Sequence, residues 1–533
     1  MFVRQFTKND CENETLRSLF QSSRPELLLF FEAFLDSLRS ALWQSKHWRE
    51  VAHEQTSSEA LNNTRSILRL LEGQAHDRKL DDINIDDARL QARQGSSELR
   101  QWPTDIFGAK IPRSALESLS NLIRNNPCGT TLLIGEAGSG KSALMADLTA
   151  LLEDAGKAVF ALKADMLSET VTTLQAIEDE LGLTKSIVDQ ITALSRNEPV
   201  VLLIDQLDAV SDVMDRSSAR MRPLIKLVRD IRARKDIDQK HLNVHVVVSS
   251  RPFEAKHDAR FQQLKADDEV SLQLPRWDAV SELLKEIDID PDSVDAALRE
   301  TLRRPFALKL YAEIVKRGAD VAGLQASHLL DQWLLSADLG NEDERKHCVA
   351  LMTILAEEML ETESLWRPKD RFEMEYRDTV RRCVACGLLV ESGMNIGFSH
   401  QSWLDDFQAK SFKTGADLAE YAWTNQNSLF VRATLLRGLQ RLRLVDPDRY
   451  LAAVDALLQN DNTRRHVRHL VIDVISINPI PLPREVTWLE YLVNSDDILA
   501  RRGLAKSVDH WEGWREKLRK IIPGLMKQEK YEW

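Results

Sequence analysis

The amino-acid sequence predicts a multidomain protein that combines one α/β unit with several helical units. Short apolar runs alternate with amphipathic helical segments between residues 130 and 274, the pattern of a mainly parallel sheet covered by helices on both faces. Helical periodicity dominates before residue 100 and again after Trp277. A chain of 533 residues is also too long for one hydrophobic core. We therefore place the α/β unit at residues 101–276.

The composition is that of a folded, acidic protein. Hydrophobic residues make up 43% and charged residues 29% of the chain, as in ordinary globular proteins. The formal net charge of −12 excludes general coating of nucleic acid, so any such contact needs a local basic patch. There is no signal-peptide pattern and no run of roughly 18 apolar residues, and five cysteines are too few for a disulfide framework. We expect a cytoplasmic protein without a membrane partner.

The first predicted unit, residues 1–100, is helical. Leu27, Phe34 and Leu38 belong to an apolar set at helical spacing, and Ser23 with Glu26 forms a capping-box pattern. The segment offers no nucleophile–base set and no metal-ligand cluster. We interpret it as an interaction or oligomerisation module, through which a separate effector would bind.

The α/β unit begins with a strand that leads into a glycine-rich loop, GEAGSGKS at residues 135–142. The loop fits the pattern G-x-x-x-x-G-K-[ST] in its strand–loop–helix setting. Backbone N–H groups of such a loop surround phosphate oxygens, and the helix N-terminus adds positive potential. Lys141 is expected to reach the β- and γ-phosphates and Ser142 to bind Mg²⁺. The predicted nucleotide-binding residues here are Gly135, Glu136, Ala137, Gly138, Ser139, Gly140, Lys141, Ser142 and Ala143.

A second motif follows the apolar run at residues 200–204, which ends in Asp205. A carboxylate at the end of a buried strand is the Walker B arrangement that holds Mg²⁺. Asp208 has two interpretations: it polarises an attacking water, or it caps a helix. Another apolar run, 158–162, comes between the two motifs in the chain. This order predicts an additional strand between the P-loop and Walker B strands, as in the RecA-like and AAA+ (ASCE) branch of P-loop proteins.

The segment VVVSSRP at residues 246–252 is a predicted strand that ends in an arginine-bearing turn. Together with GEAGSGKS and with LLIDQLDAV at 202–210, it resembles the STAND class of P-loop NTPases, especially NACHT-like members. The resemblance implies that Arg251 senses the γ-phosphate. The alternative is a surface arginine at a strand end.

Two later segments extend the resemblance to residues 103–412. LRRPFALKL at 302–310 looks like the helical-domain motif whose proline, here Pro305, packs near the nucleotide base. FSHQSWLDDFQA at 398–409 looks like the winged-helix segment whose histidine, here His400, touches the β-phosphate of ADP. A structural or solvated histidine is the alternative. The resemblance thus implies a helical domain at 277–325 and a winged-helix domain at 326–412.

Two features bear on how closely the resemblance holds. NACHT proteins commonly place another acid directly after the second Walker B acid, but Ala209 stands there, which predicts slow hydrolysis. The segments 106–108 and 111–113 occupy the place where family members begin the adenine pocket, although these patterns are short.

Residues 413–533 are predicted to form stacked helices of a HEAT-like repeat region. The helical segments lie at 429–442, 447–458, 463–475, 484–493 and 497–508, and the pattern ends without a polar capping unit, as in a piece of a longer protein. The region is rich in arginine, which either contacts nucleic acid or an acidic protein, or pairs with carboxylates on solvated helix faces. The arginines are Arg432, Arg437, Arg441, Arg443, Arg464, Arg465, Arg468, Arg501 and Arg502.

The resemblance implies a slow ATPase that acts as an ATP/ADP-dependent signalling switch with Mg²⁺. ADP would hold it closed, and a protein or nucleic-acid trigger on the C-terminal helices would open it. Exchange to ATP would then permit homo-oligomerisation. Relatives of this kind serve antiphage or innate-immune defence. Two other interpretations remain: an AAA+-like ATPase that acts on DNA or protein, and a nucleotide-stabilised scaffold without turnover.

Overall fold

The computed structural model describes residues 80, 82–168, 171–210, 220–234, 241–325, 328–362, 364–412, 414–426, 430–478, 480–495, 497–508 and 513–519. The N-terminal helix predicted around residues 27–42 lies outside this part of the chain. Within it, no helix is long and apolar enough to cross a membrane.

A five-stranded parallel sheet forms the centre of the α/β unit. Its strands are β1 (Thr130–Ile134), β2 (Ala158–Lys163), β3 (Val200–Asp205), β4 (Val244–Ser250) and β5 (Asp268–Ser271). Their spatial order is β2-β3-β4-β1-β5, so β4 is the additional strand between the P-loop and Walker B strands. The strand at 158–163 lies at the edge instead. Chain order does not fix spatial order here, because a crossover between parallel strands can skip a neighbour.

Helices cover both faces of this sheet, and β1 to β4 are almost wholly buried. On one face Leu119, Leu148 and Leu203 belong to a single apolar cluster. On the other, helices pack against β3 and against each other. The helices are α1 (Ile85–Gly95), α2 (Ser97–Arg100), α3 (Ser114–Asn125), α4 (Lys141–Asp154), α5 (Leu174–Glu180), α6 (Ile187–Ser195) and α7 (Met221–Ala233).

The compact unit that carries the sheet begins at Ile83, earlier than the boundary expected near residue 100. The unit begins there because β2 is an edge strand of the sheet, and the helices before residue 100 cover this edge. Helices α1 and α2 pack against this strand, Leu99 joins the core of the sheet, and the Ser96 hydroxyl accepts a 2.8 Å hydrogen bond from the backbone N–H of Ala161. These two helices therefore complete the α/β unit.

The next part of the chain, up to Ser411, packs around one continuous core that includes Leu308, Trp333, Leu355 and Phe407. Two short helices, α8 (Pro252–His257) and α9 (Ala259–Gln262), lie between β4 and β5 in the chain. The helices around the core are α10 (Trp277–Glu286), α11 (Ala296–Leu302), α12 (Pro305–Lys316), α13 (Leu329–Ser336), α14 (Glu342–Thr362), α15 (Lys369–Ala385) and α16 (Gln401–Ser411). A small antiparallel sheet of order β6-β8-β7 precedes α16. Its strands are β6 (Arg367–Pro368), β7 (Leu389–Ser392) and β8 (Asn395–Phe398).

The C-terminal region is a stack of helices with its own core. The helices are α17 (Gly415–Asn425), α18 (Phe430–Val445), α19 (Pro447–Gln459), α20 (Arg465–Ser476), α21 (Pro483–Ser495) and α22 (Asp497–Val508). The last five agree with the predicted helices to within three residues at each end. Helices two positions apart pack together, as α17 with α19 and α20 with α22. Tyr450, Leu489 and Trp514 lie in the shared core.

Candidate functional site

The glycine-rich loop leaves β1 at the carboxyl edge of the sheet and ends where α4 begins. Gly138 and Gly140 have φ values of +70° and +93°, a left-handed conformation that favours glycine. A Cβ atom at Gly140 would also lie 3.0 Å from Nη2 of Arg113 and 3.5 Å from Pro305. The two glycines therefore allow the tight loop and its close contact with Pro305 at the start of α12.

Lys141 is the first residue of α4 and is buried in this loop. Its ammonium donates to the backbone carbonyls of Gly135 and Glu136, at 2.6 and 3.1 Å. Burial lowers the pKa of Lys141, as it does for two nearby cations: the pKa of Arg304 is lowered, and that of Arg113 falls to about 10. One buried and two half-buried cations around a loop of backbone N–H groups fit an anionic ligand, whose charge would offset their desolvation.

Asp205 ends β3 next to this loop and is fully buried. The Ser249 hydroxyl donates to its Oδ1 at 2.5 Å, while its Oδ2 has no hydrogen-bond partner in the described part of the chain. A buried carboxylate oxygen without a partner fits a cation such as Mg²⁺. Asp205 and Ser142 are the residues that could hold the ion.

Gln206, the residue after Asp205, connects Ser142 with Ser249 and was not predicted from the sequence. Its side-chain amide donates to the Ser142 hydroxyl at 3.1 Å, and its backbone N–H donates to Ser249 Oγ at 2.8 Å. Its φ of +53° is unusual for a residue with a side chain. The signal available in the sequence was its place directly after the strand-ending carboxylate.

Asp208 and Arg251 face each other across the ends of β3 and β4. Asp208 lies in a 3₁₀ turn, Leu207–Val210, and its Oδ2 is 3.4 Å from Nε of Arg251. Asp208 thus pairs with Arg251. Arg251 is only 7% exposed, so the alternative of a surface arginine is wrong. Burial lowers the pKa of Arg251, but Asp405 and Asp208 outweigh it and raise this pKa above its ordinary value.

His400 is the N-cap of α16 and lines the same cavity as Lys141. Its ring stacks on Phe306, with 4.3 Å between centroids. Burial, together with Lys163 and Arg251, lowers the pKa of His400 to about 3, so the ring is neutral at neutral pH. Nδ1 accepts from the backbone N–H of Ser402 at 3.0 Å. The remaining proton therefore sits on Nε2, which makes this nitrogen a hydrogen-bond donor.

These residues surround one cavity of about 370 Å³, a volume in the range of small-molecule sites. The P-loop forms one wall, and Gln206, Asp208 and Arg251 lie at the carboxyl edge of the sheet. Residues of α12 and of the start of α16 close the site. Phe107 is exposed and does not line the cavity. The other lining residues include Ile106, Ala109, Ile111, Arg113, Ala137, Ala143, Pro305, Phe306, Lys309, His400, Ser402 and Trp403.

The C-terminal region contains the nine arginines considered as a basic contact surface. Five of them pair with carboxylates, which supports the interpretation of paired helix faces. The pairs are Arg437–Asp405, Arg441–Asp406, Arg443–Glu485, Arg468–Asp461 and Arg502–Asp473. Arg437 and Arg441 reach α16, so α18 is held against the part of the chain that carries His400.

The parallel sheet, the phosphate-type loop on β1, and the acid and arginine at the ends of β3 and β4 define an AAA+-like P-loop ATPase core. Residues 130–263 match the AAA domain of the dynein-related subfamily. No curated protein matches the chain by sequence.

Several solved structures are similar to this chain at low identity. The ORC2 protein of Aeropyrum pernix, in ADPNP–ADP complexes, is 12% identical with a TM-score of 0.32, over 60% of this chain and 98% of that one. A STAND protein with a tetratricopeptide repeat sensor from Pyrococcus horikoshii is 13% identical with a TM-score of 0.31, over 76% and 64%. Cdc6p of Pyrobaculum aerophilum is 11% identical with a TM-score of 0.29, over 60% and 97%. Identities this low carry no information on which residues act.

Proposed function

We propose that this chain is an ATP/ADP-dependent switch of the STAND kind, in which ADP holds three parts of the molecule together. One observation carries the proposal: Pro305 and His400, from two segments that follow the sheet in the chain, line the same cavity as Lys141. A nucleotide in this cavity would contact all three parts. It would therefore have different affinities for closed and open arrangements, which a ligand-controlled switch requires.

In this proposal each residue around the cavity has a defined role. Lys141 and the loop N–H groups bind the phosphates, and Ser142 and Asp205 hold Mg²⁺, which when bound neutralises phosphate charge. Nε2 of neutral His400 donates to the β-phosphate, and Pro305 packs near the base. Arg251 senses the γ-phosphate.

Turnover by this site is expected to be slow. Ala209 stands where NACHT-like proteins commonly carry a further acid, so this site lacks that second carboxylate. Gln206, the side chain in contact with Ser142, has no group that accepts a proton at neutral pH. Slow turnover lets the bound nucleotide report a state instead of driving a motor.

The proposal also includes an activating ligand and a result of nucleotide exchange. A ligand on the C-terminal helices, of protein or nucleic acid, would open the closed arrangement, and exchange to ATP would permit homo-oligomerisation. The domain limits 277–325, 326–412 and 413–533, with winged-helix and HEAT-like folds for the last two, are part of the same proposal. The three-stranded sheet before α16 and the stacked C-terminal helices support these assignments. A role in defence signalling follows from the resemblance to NACHT-like proteins.

The experiment that tests the proposal identifies the nucleotide released from freshly purified wild-type and Lys141→Ala protein, and measures ATP turnover with and without DNA. We expect ADP from the wild type, none from the variant, and slow turnover that DNA does not change. His400→Ala should release ADP about tenfold faster, because one hydrogen bond to a charged group is lost. An empty wild type with rapid, DNA-stimulated turnover would reject the switch in favour of an ATPase that acts on DNA.

A further inference from the structure

Four charged side chains form a line from the nucleotide cavity to the C-terminal helices. Nε of Arg251 lies 3.4 Å from Oδ2 of Asp208, and Nη1 of Arg251 lies 3.6 Å from Oδ2 of Asp405. Oδ1 of Asp405 in turn lies 3.3 Å from Nη1 of Arg437. The four residues come from the turn after β3, the end of β4, α16 and α18. Charges alternate along this line, so each side chain stabilises the next.

The line is shielded from water over its whole length. The side chains of Asp208, Arg251, Asp405 and Arg437 are 2%, 9%, 10% and 14% exposed. Ion pairs in such surroundings are screened less by solvent and salt than surface pairs, so moving one member affects its neighbours strongly. The position of Arg437 on α18 is thereby coupled to the position of Arg251.

The guanidinium of Arg251 presents different nitrogens to its two carboxylates. Nε faces Asp208, which lines the cavity, whereas Nη1 faces Asp405, which does not. At 3.6 Å the second contact is an ion pair without a hydrogen bond, and Nη1 has no hydrogen-bond partner in the described part of the chain. Arg251 can therefore exchange Asp405 for another anion while it keeps Asp208.

Phosphate is the anion that the cavity would bring to Arg251, since a guanidinium recognises carboxylate and phosphate with the same donor geometry. We propose that Asp405 competes with the terminal phosphate of ATP for Arg251, and that Arg437 holds Asp405 in this competing position. The C-terminal helices thus favour ADP over ATP through the ion pairs Arg437–Asp405 and Asp405–Arg251. This regulation rests on the proposed function, because it concerns the choice between two nucleotides at that site.

A neighbouring ion pair provides a matched control. Asp406 and Arg441 join the same two helices, α16 and α18, through the residue after Asp405 and the residue one turn beyond Arg437. Asp406 and Arg441 make no ion pair with Arg251. If the helix contact alone matters, loss of either pair will have the same effect on nucleotide choice. If the line of charges matters, loss of the first pair will change nucleotide choice much more than loss of the second.

The test measures the dissociation constants of ADP and of a non-hydrolysable ATP analogue for wild type, Asp405→Asn, Arg437→Gln and the control Arg441→Gln. Asp405→Asn should raise the affinity for the analogue about tenfold relative to ADP, a typical coupling between sites. Arg437→Gln should act in the same direction, and Arg441→Gln, which removes a cation that acts on Asp405 without an ion pair, should change the ratio much less. In an Arg251→Gln background, Asp405→Asn should no longer alter the ratio.

The outcomes separate this inference from the function on which it rests. An unchanged ratio in both Asp405→Asn and Arg437→Gln, or an equal change in Arg441→Gln, overturns the regulation while the nucleotide switch stands. A wild type that binds neither nucleotide contradicts both the regulation and the proposed function. Arg437 is remote from the cavity, so its variant remains informative if Asp405→Asn fails to fold.

Discussion

Gln206 shows how one residue near the site departs from the conformation that its type prefers. Its left-handed backbone places the side-chain amide on the Ser142 hydroxyl and the backbone N–H on Ser249. A residue with a side chain loses roughly 1 kcal/mol in this conformation, while glycine does not. The turn after β3 thus holds some strain beside Asp205 and Ser142, the two residues that could hold Mg²⁺.

This strain can be measured with two substitutions that both remove the side-chain hydrogen bond. Gln206→Gly should be more stable than Gln206→Ala by about 1 kcal/mol, because only alanine keeps the unfavourable φ. The free energy of unfolding by chemical denaturation gives the difference.

The same pair of substitutions at the exposed helical residue Gln175 is the control. There alanine should be the more stable by about 1 kcal/mol, since glycine weakens a helix. Equal stabilities of the two Gln206 variants would show that the turn is unstrained.

Sequence motifs predicted site residues that the fold brings close together, but they gave no indication of residues whose contacts form only on folding. The P-loop, Asp205, Asp208 and Arg251 meet at one edge of the sheet because parallel strands bring their carboxyl ends together. No sequence pattern marked Asp405 as a site residue, because its contacts with Arg251 and Arg437 join residues far apart in the chain. Such contacts have no local sequence pattern.

At the scale of elements, buried strands were the most predictable. Residues of β1 to β4 form apolar runs because both sides of each strand are covered. The last strand of the parallel sheet, β5, was harder to place from sequence. The last apolar run of the α/β pattern, at 270–274, begins two residues after β5 begins and ends three residues after it ends, because β5 is an edge strand with alternating burial. The position of β4 in the sheet required tertiary information, because sequence does not determine which strands are neighbours.

The edge of β2 depends on a serine from a helix that precedes the sheet in the chain. We expect Ser96→Ala to lower the free energy of unfolding by about 1–3 kcal/mol, because the buried N–H of Ala161 loses its acceptor. Thermal or denaturant unfolding measures the effect.

Ser118→Ala is the comparison for this substitution. Its hydroxyl donates to the backbone carbonyl of Ser114, four residues earlier on an exposed helix face, so the change should stay within about 0.5 kcal/mol. Similar losses in both variants would mean that Ser96 does not support the strand.

At the scale of the whole molecule, a ligand that binds the folded state should stabilise it. ADP at one hundred times its dissociation constant is expected to raise the free energy of unfolding of the wild type by about 2.7 kcal/mol. The midpoint of thermal unfolding should rise with ADP concentration. Lys141→Ala should show no such rise, since the variant lacks the cation that the proposal assigns to the phosphates.

An exposed lysine on α7, Lys226, is the control for this measurement. Lys226→Ala should keep the full response to ADP, because the residue does not line the cavity. A wild type whose unfolding midpoint is independent of ADP would contradict nucleotide binding altogether.

The single core that joins residues from Val280 to Phe407 limits how the molecule can move. Phe306, the neighbour of Pro305, and Trp403, close to His400 in α16, pack in this body, and Ile106 and Ala109 contribute to the same core. Tightly packed cores transmit displacement instead of deforming gradually. A hinge motion would therefore swing the proline and the histidine away from the P-loop together, so that a trapped nucleotide would lose both contacts in one step.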